Sequence, residues 1–458
     1  MSRLRKHVQG QRGESFLEIV RGVDRERIIS VAIDVHKYYH LVMIHNGYGD
    51  VILPGFEIDI FQAGFDHLCA EIDSVVKETQ ATVLLIGMEP TGHYFENLAR
   101  HLLDKYPHIK LVNSYAVKEN RNQKMLRLQK NDEIDVCAIG DLVLRNECFT
   151  YQPLSEPYLN LQYWCRHRQA KLKMRTMLKN QVIGHLDRIF PGLVMPNGGS
   201  TEDQPRLFVE FWQNQTAQHL IRLCPDPRRL RAMSVDQLID LFHKYGARMG
   251  PVTAQRFISF AQQVLLPSEE IIAARLPLLR ADLALVEALN AAIKQAEEQM
   301  AHYLSQTRAS HLTNIKGIGV IHVADYIAGM GNPECYQHAG QIFKRSGLVS
   351  GRHDSGLRQK GGKGHKVTKV GDAHLRYALT RLSHSLCQWQ PYFSDYRTKL
   401  IEAGKHSGIA TVATARKANG VLFALLRDQV PFRPCDRHGR PISPKASIRR
   451  QQEGGHQP

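Results

Sequence analysis

Residues 29–35, Ile29-Ser30-Val31-Ala32-Ile33-Asp34-Val35, open the legible part of the chain. This β-branched run reads as a strand, with a carboxylate near its C-terminal end. Two short runs follow, His40 to His45 and Val51 to Phe56, separated by turn residues such as Asn46-Gly47. Three closely spaced strands with short connections predict antiparallel hairpins.

Working outward, Phe61, Phe65, Leu68, Ile72 and Val76 recur at helical spacing. Val83 to Met88 is a buried-type strand, and Glu89 follows it. Tyr94 to Leu103 reads as a helix, Ile109 to Val112 as a strand, and two helical stretches end near Arg145. The order βββαβαβα predicts an α/β layer of mixed sheet with flanking helices, ribonuclease-H-like, over residues 29–150. Residues 1–28 precede it as a basic arm.

Beyond this unit the pattern turns helical. Residues 151–270 read as a helical linker region with a possible insertion. Within it, 158–190 is one helix with an apolar stripe (Leu178, Val182, Leu186, Ile189) and a basic first half that includes Arg166, Arg168, Lys171 and Arg175. That half suits a solvated face and a phosphate-tracking surface about equally. Residues 192–270 hold helical fragments broken by Pro and Gly. Residues 271–308 read as a coiled coil, because Leu279, Leu283, Val286, Asn290, Ile293, Glu297, Met300 and Leu304 alternate in steps of four and three. Asn290 and Glu297 are polar intrusions of the kind that sets register. The seam serves either self-association or packing on the chain's own domain. Residues 309–434 form a mainly α domain. It opens on Ile315-Lys316-Gly317-Ile318-Gly319, a helix-hairpin-helix-like element whose backbone N–H groups can meet a phosphate. Residues 435–458 are a disordered basic tail.

The charge is lopsided. The 458 residues carry 60 Lys and Arg against 44 Asp and Glu, a net of +16. Residues 341–458 alone hold 22 against 7, a net of +15. Such a local excess favours a polyanion partner over a merely solubilising surface. No apolar run approaches the roughly 20 residues of a membrane span, and the N-terminus has no apolar signal core, so DNA is preferred to a membrane. Eight widely spaced Cys without a CxxC pair argue against zinc and for reduced thiols in the cytoplasm.

Two sets of residues carry chemistry. Asp34 and Glu89 end two strands that this topology places side by side. Asp132 and Asp135, three apart, share one helix face. Four converging carboxylates need a cation, and an all-oxygen set suits Mg²⁺ or Mn²⁺. The second candidate is Ser355, in a Gly-rich segment with Arg352, Arg358, Lys360, Lys363, Lys366 and Lys369. Such cations can stabilise charge on a phosphate under nucleophilic attack, although on local chemistry alone a loop Ser in a phosphate-binding segment is the better reading. No Walker A spacing is present.

Ala32-Ile33-Asp34-Val35-His36-Lys37, Met88-Glu89-Pro90-Thr91-Gly92 and Lys130-Asn131-Asp132-Glu133-Ile134-Asp135-Val136 together resemble the DEDD-type transposases of bacterial insertion sequences, the IS-one-ten group. So do Ile315 to Gly319, Gly347-Leu348-Val349-Ser350, Ser355-Gly356, Thr368 to Arg376 and Ala415-Arg416-Lys417. The resemblance implies a RuvC-like domain whose acidic tetrad, Asp34, Glu89, Asp132 and Asp135, binds Mg²⁺. It implies a C-terminal transposase domain with a nucleophilic serine, Ser355 by motif or else Ser350. It also implies cutting and rejoining of DNA (element ends and target) through a covalent serine–DNA intermediate, by a homo-oligomer (dimer or tetramer) with a structured guide RNA. Arg376, Gly317 and Gly319 would join the basic residues in gripping nucleic acid. Asn131 and Val136 depart from the family's usual Thr and Ala at non-ligand positions. Two other readings stay open: a junction-resolving endonuclease acting by direct hydrolysis, and a non-catalytic helix-hairpin-helix DNA-binding protein.

Overall fold

Strand β1 (Ile28–Val35) is flanked on one side by β2 (Tyr39–Asn46), antiparallel, and on the other by β4 (Val83–Met88), parallel. In this computed structural model the described residues are 19–90, 92–124, 132–194, 207–208, 210–349, 367–436 and 440–441. They fall into two units, Met1–Pro153 and Leu154–Pro458.

The first unit is a six-stranded sheet of order β3-β2-β1-β4-β5-β6. β3 (Val51–Asp59) lies at one edge, where Pro54 forfeits no central ladder bond. β5 (Ile109–Leu111) runs parallel to β4, and β6 (Phe149–Thr150) closes the other edge. The helices are α1 (Gln62–Thr79), α2 (Phe95–Lys105), α3 (Ser114–Lys124) and α4 (Asp132–Leu144). All eight residues of β1 are buried, so both faces are covered. Strand alternation then assigns the faces. Ile29, Val31, Ile33 and Val35 join the core under α1 and α2. Ile28 and Ala32 join a second core with Val136, Ile139 and Val143 of α4. The even-numbered series, Asp34 included, therefore faces α4. Gly87 makes the close approach of α4 possible, since a Cβ there would sit 2.2 Å from Val143 Cγ2. A mixed α/β sheet followed by a mostly helical region, as the sequence predicts, is what the chain forms.

The second unit is built on two long helices, α5 (Glu156–Ile189) and α10 (Glu269–Ser305). Between them lie α6 (Gln215–Leu223), α7 (Pro227–Arg231), α8 (Val235–Lys244) and α9 (Pro251–Gln263). These short helices share a core of their own with Val182, Leu186 and Ile189 of α5 and Leu279 and Leu283 of α10. The stretch read as a linker is thus a helical subdomain. At the opposite ends of the pair, Leu161, Cys165, Met300 and Leu304 enter a separate core. That core also takes a 3₁₀ turn (Arg308–Asn314), α11 (Val320–Met330), α12 (Ala339–Arg345), α13 (Ala373–Trp389) and α15 (Ser407–Asp428), with α14 (Pro391–Glu402) packed beside them.

The heptad seam has a partner within the chain. Leu279, Leu283, Val286, Ile293, Met300 and Leu304 are all buried. The polar intrusions meet α5: Glu297 pairs with Arg168 at 2.7 Å and Asn290 Oδ1 accepts from Arg175 at 2.8 Å. His185 faces Asp282 at 3.3 Å. These pairings run antiparallel. Of the two roles the sequence left open, these buried residues fill the second, packing on the chain's own domain. One described helix, α15, is long and apolar enough to cross a membrane by length and composition. Its Thr414, Ala418 and Leu422 are core residues, and its buried Asn419 accepts a hydrogen bond from Tyr326 Oη at 2.9 Å.

Candidate metal centre

Asp34 lies one residue beyond the Ile33–Met88 pairing of β1 with β4, so Glu89 is its counterpart at the end of the neighbouring strand. α4 begins at Asp132 and carries Asp135 one turn later. Asp34 and Asp135 are buried, at 8% and 9% exposure, and Glu89 and Asp132 are half-buried. The other three act electrostatically on Asp34. Burial is the largest influence and pushes its carboxyl above the usual range; His36 pulls it down, and Glu89, Asp135 and Asp132 add upward pushes.

Two residues join the cluster that the sequence reading left out. His36 Nε2 lies 3.1 Å from Asp34 Oδ2, and Asp34, His36 and Asp132 each present a ligand atom within 4.8 Å of the others. Arg121 of α3 reaches Asp135 Oδ1 at 2.6 Å. His36 was findable, since it continues the even-numbered face of β1 two residues past Asp34. Arg121 had no signal, because nothing in the local pattern sets α3 against α4. The cluster meets the chemistry of a divalent cation: several carboxylate oxygens and one imidazole, desolvated and mutually repelling, with one guanidinium for partial compensation.

The basic residues expected to grip nucleic acid divide into three groups. Arg168 and Arg175 are engaged with Glu297 and Asn290 within the helix pair; Arg166 is exposed and Lys171 half-buried on the same helix. Arg376 donates to the carbonyls of Ser346 (2.9 Å) and Lys369 (3.2 Å), tying together two backbone segments; Lys369 itself is exposed. Ser350, Arg352, Ser355, Arg358, Lys360, Lys363 and Lys366 lie outside the described residues.

The hairpin at 315–319 is preceded by the 3₁₀ turn rather than an α-helix. Gly317, at φ +101°, is pressed on Trp389: a Cβ would meet that side chain at 2.6 Å. Its carbonyl accepts from the Ser385 hydroxyl. Gly319 caps α11 and has open space around it.

A mixed sheet with carboxylates gathered at the ends of its two central strands defines a nuclease-like α/β domain. A DEDD transposase family model of the IS110 type matches residues 31–191. A second, described as "Transposase IS116/IS110/IS902 family", matches residues 309–398, and the two together cover more than half of the chain. The insertion element IS116 uncharacterized 44.8 kDa protein of Streptomyces clavuligerus is 27% identical over 314 residues, covering 67% of this chain and 73% of that protein. The insertion element IS110 uncharacterized 43.6 kDa protein of Streptomyces coelicolor is 26% identical over 263 residues, covering 55% and 59%. The chain belongs to the IS110-family DEDD transposases, a family of DNA-cleaving and strand-transferring enzymes.

Proposed function

We propose that the protein cuts and rejoins the DNA of its insertion element in a Mg²⁺-dependent reaction with Ser355 as nucleophile. The observation that carries the metal half is the convergence of Asp34, Glu89, Asp132 and Asp135 on one sheet end, with His36 among them. Those four carboxylates would hold the ion. Mg²⁺, when bound, supplies positive charge beside the reacting phosphate and eases ionisation of the attacking group. His36 orients the Asp34 carboxylate, and Arg121 steadies Asp135 in the ion's absence. Ser355 Oγ forms a bond to phosphorus as the bridging P–O bond to the leaving sugar breaks, and the hydroxyl proton passes to a base. A second strand's hydroxyl then attacks the serine phosphodiester, releasing Ser355 and restoring a DNA phosphodiester. The excess of +15 over residues 341–458 supports this assignment, since cations lower the cost of charge building on phosphate. A guide RNA and a homo-oligomer complete the reading; both rest on the family resemblance.

A covalent trap tests it. Wild-type protein incubated with element-end DNA and Mg²⁺ should yield a denaturation-resistant protein–DNA adduct, and Asp34→Asn and Ser355→Ala should not. An adduct that persists in Ser355→Ala sinks the serine assignment; testing Ser350→Ala then identifies the alternative. Cleavage that proceeds undiminished in Asp34→Asn removes the metal centre.

A further inference from the structure

A cavity of about 500 Å³ opens in the first unit between the β1–β2 turn, α1 and α2. His36 links it to the carboxylates, since it lies within the Asp34–Asp132 group and also lines the cavity. The cavity's size is that of ordinary small-ligand sites, about 300–1,000 Å³. Its rim is unusual in leaving flat rings in water: Tyr38 is 68% exposed and Phe61 71%. Neither is needed by the core. The backbone at Phe61 is held, because its N–H donates to Asp59 Oδ1 at 2.9 Å just before α1 begins. Tyr38 sits in the turn from β1 to β2, with Lys37 Nζ 4.8 Å from its ring centre. Tyr94, stacked obliquely on His93 with ring centres 4.4 Å apart, lines the same cavity. In its wall, His40 is 5% exposed and its Nδ1 has no hydrogen-bond partner among the described residues. A buried ring nitrogen left without a partner is a feature that a ligand can satisfy.

Exposed rings, a cation at the rim and a buried nitrogen in the wall suit a planar heteroaromatic group carrying an anion. Base–aromatic stacking of this kind is sequence-tolerant and is the usual way proteins hold unpaired nucleotides. We propose that this cavity takes one unpaired deoxynucleotide adjoining the phosphate at the carboxylates, its base stacked on Tyr38 or Phe61 and its phosphate near Lys37. The position of that phosphate rests on the proposed function; the nucleotide site itself does not.

The test uses the full-length protein without divalent cation, so that no cutting is required. A short single-stranded oligodeoxynucleotide carrying 5-iodouracil is irradiated with the protein, and the cross-linked peptide is identified by mass spectrometry. Cross-linking at Tyr38 or Phe61 is expected with the single strand and not with the same sequence as a duplex. Tyr38→Ala with Phe61→Ala should weaken binding of the single strand, read by fluorescence anisotropy, about tenfold or more, in line with the loss of one stacking contact. Both rings are exposed, so the double variant should fold normally, which circular dichroism checks. Cross-links confined to residues 341–458, or equal at Tyr38 and Phe61 with duplex, would overturn the proposal. So would stronger cross-linking there by the matching RNA than by DNA. If the cross-link forms while the wild type with Mg²⁺ never cuts, the nucleotide site stands and the proposed chemistry falls.

Discussion

Around Asp34 four carboxylates share one imidazole and one guanidinium, whereas along the α5–α10 pair Glu297, Asn290 and Asp282 each face a partner of their own. Both places take charge out of water. In the helix pair the cost is met where it arises: Arg168 with Glu297, Arg175 with Asn290, His185 with Asp282. In the first unit like charges are gathered, and burial adds to their mutual repulsion. A fold that can match charges residue by residue in one place, yet leaves them clustered in another, holds the cluster for something it binds. Removing an acid should therefore have opposite effects at the two sites, and that difference can be measured.

The largest effect is expected at Asp34. Asp34→Asn should lower strand cleavage by at least about a hundredfold, as losses at metal-site residues do, while metal-free thermal stability stays level or rises. An activity assay beside a melting curve checks both, and a large drop in melting temperature would erase the contrast. Next comes the seam itself. Leu279, fully buried between the helices and the small subdomain, should lose about 2–5 kcal/mol on change to Ala, read by urea denaturation. A smaller loss, about 1–3 kcal/mol, is expected for Arg168→Ala, which leaves Glu297 without its partner. A double-mutant cycle with Glu297→Ala isolates the pair; additive losses would show that the two side chains do not couple.

The subtlest test concerns Asp325 of α11, which is 6% exposed. Burial pushes its carboxyl above the usual 3.8, against the pull of Arg168, Cys165, Gln169 and Arg381. A group that binds its proton more tightly when folded contributes stability at low pH and loses it as pH rises through the folded value. Wild type should therefore lose stability relative to Asp325→Asn as pH climbs above about 4. Parallel stability–pH curves for the two proteins would show that Asp325 is not perturbed.

Much of this was legible in the sequence because strands enforce parity. Asp34 and Glu89 end runs whose order makes them neighbours, and the three-residue step from Asp132 to Asp135 puts both on one helix face. His36 obeys the same parity, but a histidine beside a strand end carries no metal signal of its own. The seam was legible as a surface to be buried, and Asn290 and Glu297 as its register marks. Its partner was not, since a heptad pattern states that a stripe must be covered and not by which helix. Arg168 and Arg175 were ambiguous for the same reason: a basic helix face looks alike whether it meets phosphate or a polar group on a neighbour. Residues 215–263 resisted because their helices are short and punctuated by Pro and Gly, so no window holds enough repeats to establish a period.

The α5–α10 pair also works as a ruler. One core grips it near Leu161 and Leu304, the other near Val182 and Leu283, and between them only the matched side chains of two helices set the separation. At 1.5 Å per residue, adding one heptad to each helix would carry the small subdomain about 10 Å further out and keep the seam in phase. Distance within this half of the molecule is thus written in residue count. A lineage could lengthen or shorten its reach by paired insertions while leaving both cores untouched.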